Sequence, residues 1–329
     1  MGHTEPEGCL AADRGWHGAP LDTARLRLRR LVESDADEVT RLLDDWEVVR
    51  STSNIPFPYS HSVAESFIAQ VAAETTQGRA LVFAIEERLS GHLVGCVGAS
   101  LTAGNAEIGY WLGRAHWGKG YGAEAVRRTL RILFQNFHLG MVWASALPEN
   151  RASRHLLETV GFTYDRQQRM DMPARGVSAD LDILVLDRET WEAQRAARPM
   201  LLVVAAALID IDGRVLLAQR PPGKSMAGMW EFPGGKVDAG ETPEAALVRE
   251  LQEELGLDVG QSCLAPLAFA SHDYDTFHLL MPLYACRQWR GDMIPREGQR
   301  LAWVRPARMF DYPLPPADIP LVALLRDWL

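Results

Sequence analysis

Glu250, Glu253 and Glu254 stand at i, i+3 and i+4 in a stretch, Ala245 to Leu255, that contains no glycine or proline and is rich in good helix formers. On a helix this spacing gathers three carboxylates on one face. Leu247, Val248, Leu251 and Leu255 form a separate apolar stripe able to dock on a sheet. Three glutamates so close repel one another unless a cation neutralises them. Oxygen-only ligands favour Mg²⁺ or Mn²⁺ over zinc. A solvated acidic face is the plainer alternative, but two features weigh against it: the segment follows a Pro233-Gly234-Gly235 turn, and it includes Arg249, placed to orient the carboxylates.

A second constellation lies in the first half. Trp117-Gly118-Lys119-Gly120-Tyr121-Gly122 falls between an expected strand, Glu107 to Leu112, and an expected helix, Ala123 to Phe134. A glycine-rich turn that opens a helix exposes backbone N–H groups at the positive helix end, where a diphosphate binds well. A purely structural tight turn competes with that reading.

Two chemistries on 329 residues imply two cores, since chains of this length usually divide. The composition, 47% hydrophobic and 23% charged, is that of an ordinary globular protein. The formal net charge of −9 argues against general nucleic-acid binding, so anionic substrates must be held by local arginines, amides and metal. Cys9, Cys96, Cys263 and Cys286 are scattered, without a zinc or disulfide pattern, which fits a reducing cytoplasm. The apolar run Met200 to Ile209 is too short to span a membrane and reads as a buried strand. Asp212-Gly213 should turn it into a hairpin returning through Val215 to Ala218. Residues 1–20 read as a flexible polar tail without signal-peptide character. Leu181 to Leu186 reads as a strand, and the following short helix is stopped by Pro199. The expected division is therefore a tail (1–20), a first domain (21–190), a linker (191–198) and a second domain (199–329).

Gly235 to Leu257 carries the whole pattern G-x5-E-x7-R-E-U-x-E-E-x-G-U, with U apolar, and is identified as a Nudix box. Beyond it, MWEFPGGK (229–236), REGQ (296–299) and PPADIP (315–320) resemble the MutT branch of nucleoside triphosphate pyrophosphohydrolases. That resemblance covers about residues 199–329 and implies that the Gly234 carbonyl with Glu250, Glu253, Glu254 and Glu297 holds the metal. Glu297 or Glu250 would be the general base, and Glu241 and Arg249 would hold the box in shape. Arg220, Phe232, Tyr274 and Asp318 would bind the nucleotide. Asp318 replaces the asparagine of the bacterial prototype; a carboxylate accepts from the N7–H that only the oxidised guanine carries, and a protonated one also donates. The implied activity is Mg²⁺-dependent conversion of 8-oxo-dGTP to 8-oxo-dGMP and pyrophosphate, in keeping with nucleotide-pool sanitation.

The first half resembles GNAT N-acetyltransferases of the ribosomal-protein branch over about residues 21–188. The resemblance rests on TARLRLRRLVESDADEV (23–39), IPFPY (55–59), EIGYWL (107–112) with WGKGY (117–121), and PENRASRHLLETVGF (148–162). It implies acetyl-CoA as co-substrate, with its pyrophosphate on the amides of Gly118, Lys119, Gly120, Tyr121, Gly122 and Ala123 and its pantetheine arm near Asn150. Glu107 would be the base that deprotonates the amine, and Ser153 the acid for the departing thiolate. Many members carry a tyrosine four residues before the G-F pair, where this chain has Leu157. The acceptor is an unidentified amine, a protein N-terminus or a small molecule. The expected fold class is α/β, two α+β-type domains: a GNAT fold followed by a Nudix α/β/α sandwich. Rival readings are a nucleotide-sensing regulator whose first half modifies a partner, and hydrolysis of another nucleoside diphosphate derivative.

Overall fold

The computed structural model describes Trp16 and residues 18–329 except Ser225, so most of the tail expected at 1–20 lies outside the described residues. The chain divides into two compact units, the first ending at Ala197 and the second spanning Arg198–Leu329. Among the described residues no helix is long and apolar enough to cross a membrane.

The first unit runs β1 (Leu21–Asp22), β2 (Leu26–Arg29), α1 (Ala36–Leu43), α2 (Trp46–Val49), α3 (His61–Thr76), β3 (Ala80–Glu87), β4 (Leu93–Thr102) and β5 (Asn105–Leu112). It continues with α4 (Tyr121–Gln135), β6 (Met141–Ala146), α5 (Arg151–Thr159), β7 (Thr163–Met172), β8 (Val177–Asp187) and α6 (Arg188–Ala196). One sheet of order β1-β2-β3-β4-β5-β6-β8-β7 carries helices on both faces. Strand alternation divides the core. Leu81, Phe83 and Ile85 join the layer under α4 and α5, while Val82 and Ala84 join Val39, Leu43 and Ile68 on the α1–α3 side.

β5 and β6 form the sheet's parallel pair, and they separate early. They pair only at Asn105↔Met141, Ala106↔Val142 and Glu107↔Trp143, although β5 stays registered with β4 as far as Leu112. The two strands therefore open into a fork just past Glu107. The segment expected as a linker, 191–198, is largely helix α6, and Trp191 stacks on Phe134 at 4.9 Å within the first unit's core.

The second unit contains β9 (Met200–Leu208), β10 (Val215–Gln219), β11 (Trp230–Glu231), β12 (Gly234–Lys236), α7 (Pro243–Leu255), β13 (Ala265–Asp273), β14 (His278–Cys286), β15 (Arg300–Val304) and α8 (Ile319–Trp328). Two sheets form, β12-β9-β14-β13 and β11-β10-β15. The expected β9–β10 hairpin does not. Its turn is present, with the Asp210 amide donating to the Arg214 carbonyl at 2.9 Å, but only the single bridge Ile209↔Val215 links the arms. β12 and β14 occupy both edges of β9, so β10 pairs instead with β11 and β15 in the other sheet. β9 is buried on both faces, which explains its unbroken apolar run. Val204, Ala206 and Leu208 pack toward α7, and Ala205, Ala207 and Ile209 toward α8.

Candidate active sites

Helix α7 is set by its ends. Thr242 Oγ1 accepts from the Ala245 amide at 3.2 Å, Pro243 occupies the first turn, and Gly256 closes the helix at φ +71°. Where a Pro233-Gly234-Gly235 turn was expected, Gly234 and Gly235 open strand β12, which lies flat on β9 because neither residue has a side chain. A Cβ on Gly234, at φ +149°, would sit 2.1 Å from the Val204 carbonyl oxygen, and one on Gly235 would sit 2.2 Å from the Glu250 carboxyl carbon. Glu250 is thereby pressed beneath β12, and the Gly234 backbone lies near enough to Glu254 to offset part of the rise in its carboxyl.

Glu254 reports the electrostatics of the cluster. Burial, and then the charges of Glu297, Glu231 and Glu250, push its carboxyl up to about 7. Glu297 arrives from a separate loop that is tied to the end of α7. Gln299 accepts from the Glu297 amide at 2.8 Å and donates to the Glu254 carbonyl at 3.0 Å, where the Arg296 amide also donates at 2.9 Å. Arg249 donates to Glu241 at 3.0 and 3.1 Å, to Glu250 at 2.8 Å, to Glu253 at 3.2 Å and to the Lys236 carbonyl at 3.1 Å. Lys224 is ion-paired with Glu297.

With Glu250, Glu253 and Glu297 engaged by these cations, no group of three or more His, Cys, Asp or Glu among the described residues converges as a chelate. The donor chemistry nonetheless fits a hard divalent cation. The ligands are all oxygens, and the Glu254 carboxyl is raised by burial first and then by the charges of Glu297, Glu231 and Glu250, which a cation there would offset.

Beside the cluster lies a second polar group. Arg220 Nη1 donates to Glu231 at 2.5 Å, and burial raises the Glu231 carboxyl against the opposing charge of Arg220. Asp318 is 3% exposed and stands at the N-cap of α8, yet its side chain makes no capping bond. Its Oδ2 has no hydrogen-bond partner. Burial first, then the charge of Glu231, hold its carboxyl well above the usual value. Tyr274 is close enough for Asp318's charge to raise its phenol further, after burial. Phe232 and Tyr274 share the apolar cluster under α8. Arg220, Phe232, Tyr274 and Asp318 thus lie together, and Glu231 joins them.

In the first unit, Gly118 and Gly120 take φ of +71° and +79°, and α4 starts at Tyr121, two residues earlier than its pattern implied. The amides of Tyr121, Gly122 and Ala123 therefore belong to the first helical turn, where N–H groups lack intrahelical partners. Arg25 braces the loop. It donates to the Lys119 carbonyl at 2.7 Å and to Glu124 at 2.8 Å, and lies 4.8 Å over the Tyr121 ring.

Glu107 sits at the fork, accepts from Ser145 at 3.4 Å, and has its carboxyl raised by burial. Asn150 caps α5 by accepting from the Ser153 amide at 3.1 Å. Ser153 Oγ lies 2.9 Å from Tyr110 Oη. Being three residues apart on one strand, Glu107 and Tyr110 face opposite sides of the sheet, so the two polar groups flank the fork.

The acetyltransferase (GNAT) domain family matches residues 25–163 and the NUDIX domain family residues 204–324. The chain is 43% identical over 126 residues to a CTP pyrophosphohydrolase of Escherichia coli, covering 37% of this chain and 89% of that protein. It is 41% identical over 96 residues to an 8-oxo-dGTP diphosphatase of Proteus vulgaris, covering 29% and 84%. It is 33% identical over 164 residues to the uncharacterized N-acetyltransferase p20 of Bacillus licheniformis, covering 49% and 92%. The chain is a fusion of a GNAT acetyltransferase and a Nudix hydrolase. GNAT acetyltransferases use acetyl-CoA, and Nudix hydrolases typically use divalent metals.

Glu231, Tyr110 and Arg25 are among the residues of these sites that carry no role in the sequence reading. Glu231 lies inside the WEFPGGK motif of the Nudix unit, and Tyr110 inside the EIGYWL motif of the GNAT unit. Their motif positions were visible, but their partners, Arg220 and Ser153, are set by chain crossings that spacing does not encode. Arg25 has no local signal, since Glu124 stands 99 residues away.

Proposed function

We propose that the Nudix unit is a Mg²⁺-dependent pyrophosphohydrolase that converts 8-oxo-dGTP to 8-oxo-dGMP and pyrophosphate. The observation that carries the reading is the buried Asp318 carboxyl with its unpartnered Oδ2, set beside Phe232, Tyr274 and the Arg220–Glu231 pair. A buried polar atom without a partner is costly, and a base edge would satisfy it. Oxidised guanine offers an N7–H donor that undamaged guanine lacks, so Asp318 favours the oxidised base.

Glu250, Glu253, Glu254, Glu297 and the Gly234 carbonyl would hold the cation. When bound, a divalent ion supplies charge neutralisation at the phosphates and acidifies a water. Glu297 or Glu250 accepts the proton of the water that attacks the phosphorus next to the nucleoside, and the other remains a ligand. Arg249 keeps Glu250 and Glu253 aligned.

CTP is a second reading, favoured by the relative of that name. A neutral Asp318 carboxyl both donates and accepts, and so suits the N3/N4 edge of cytosine as well.

The GNAT unit, on this reading, transfers an acetyl group from acetyl-CoA to an amine. Glu107 takes the proton from the ammonium, Ser153 serves the thiolate, and the first turn of α4 with Gly118, Lys119 and Gly120 holds the pyrophosphate. Pyrophosphate release by wild-type protein and by Glu253→Gln, with Mg²⁺ present, tests the metal assignment. The variant should lose the activity almost entirely. Retention of near wild-type release would show that this carboxylate is not a ligand.

A further inference from the structure

Leu157 occupies the position where many relatives of this fold carry a tyrosine, and it is 1% exposed among apolar neighbours, so it supplies no proton. One turn earlier on the same face of α5 lies Ser153. The Ser153 Oγ is 2.9 Å from Tyr110 Oη, and the same phenol lies 3.4 Å from the Ser153 carbonyl oxygen. Tyr110 reaches this point from β5, on the part of the strand that has already parted from β6. Its ring runs along the start of α4, since a Cβ placed on Gly122 would be 3.9 Å from Tyr110 Cε2. The phenol therefore lies beside the pyrophosphate loop and contacts the residue assigned to the leaving thiolate.

We propose that Tyr110 is the positioning residue of this acetyl transfer, its phenol donating to Ser153 Oγ and turning the serine proton toward the departing sulfur. The inference rests on the reading of Ser153 as the acid. In the transfer, the amine nitrogen bonds to the thioester carbon and the carbon–sulfur bond breaks. The Ser153 proton passes to sulfur, and the Tyr110 proton passes to Ser153 Oγ. The second proton, which the nitrogen sheds as it becomes the amide, restores the phenol through solvent, and the one that Glu107 removed from the ammonium is the net proton released. Burial pushes the Tyr110 phenol up to about 12, so it enters the reaction protonated. A serine alone would be left as an alkoxide, a much stronger base than a phenolate. The tyrosine missing at position 157 is thus replaced by one from the neighbouring strand.

The test uses the full-length protein, acetyl-CoA and a set of short peptides and polyamines as probe acceptors, reading thiol release. Water serves as acceptor if none of the set is taken. Tyr110→Phe keeps the ring and its packing and should lower kcat by about ten- to a hundredfold, at or below the lower end of the roughly 10²–10⁴-fold range for a positioned acid, since Tyr110 acts through Ser153. KM for acetyl-CoA should change less than about twofold, because the effect acts on leaving-group departure alone. The double variant with Ser153→Ala should be no slower than Ser153→Ala, since both act on one proton path. Full kcat in Tyr110→Phe beside a slow Ser153→Ala overturns the proposal and leaves the Ser153 reading standing. Losses that multiply in the double variant overturn it equally. Unchanged kcat in Ser153→Ala, or wild-type thiol release no faster than the uncatalysed rate, removes the Ser153 reading and this inference together.

Discussion

At the residue scale, Asp318 departs from ordinary behaviour in every respect that the structure records. It is buried, lacks a partner at Oδ2, faces Glu231, and ignores the helix end it stands on. Removing the carboxyl leaves the base's buried N7–H without its acceptor, which costs about 1–3 kcal/mol. Asp318→Ala should therefore reduce kcat/KM for 8-oxo-dGTP by roughly five- to more than a hundredfold and affect dGTP much less. Asp318→Asn should retain much of the activity, because the amide oxygen still accepts from N7–H. The same residue makes stability depend on pH. Its folded carboxyl titrates above the usual 3.8, so the native state binds the extra proton. Its contribution to stability is complete below about pH 3.8 and is lost as pH rises through the elevated native value, with a slope of at most about 1.4 kcal/mol per pH unit. Asp318→Asn should flatten that component in urea unfolding of the full chain followed by hydrogen exchange in β10 and β15. An unchanged slope would place the titration elsewhere. The three box glutamates could be read from spacing alone, because one helix carries them. The burial of Asp318 could not, since it depends on residues near 315 folding back on Phe232.

At the scale of elements, both sites are built where a turn meets the start of a helix or the face of a strand. Gly234→Ala would force a side chain into the Val204 carbonyl at a backbone angle that only glycine adopts readily. It should destabilise the Nudix unit by about 1–3 kcal/mol from backbone strain alone. It should also weaken divalent-cation binding, which calorimetry of the refolded variant would measure. In the GNAT unit, Gly120→Glu adds a β-carbon at φ +79° and a negative charge beside the amides of α4. Acetyl-CoA binding by calorimetry should be lost. Equal binding by the variant would remove the loop from the site. Helices α4 and α7 were legible because composition, caps and stripe agree. The β9–β10 hairpin was misread because an Asp-Gly turn specifies a local reversal, while pairing is decided by which strands claim the edges. β12 and β14 claim those of β9. The fork at Glu107 was equally invisible, since it depends on the path of β6.

At the scale of the whole molecule, each unit has its own cores, and the two chemistries draw on no common side chain in the assignments above. Glu253→Gln should leave acetyl-CoA affinity unchanged, and Gly120→Glu should leave pyrophosphate release unchanged. A cross effect in either direction would mean that the two sites are energetically linked. Pro199 and the motif order set the expected division, and the two compact units divide between Ala197 and Arg198. The place of 191–198 was not legible, because the burial of Trp191 against Phe134 is a tertiary fact.

The central claim is that the Nudix unit hydrolyses an oxidised purine triphosphate. The most direct test is kcat/KM of the wild-type protein for 8-oxo-dGTP, dGTP and CTP, with Mg²⁺, read as pyrophosphate released. The account predicts 8-oxo-dGTP first by at least about tenfold over dGTP, the ratio that one discriminating hydrogen bond of about 1.4 kcal/mol supplies. A preference for dGTP, or a rate for CTP above both purines, would contradict it.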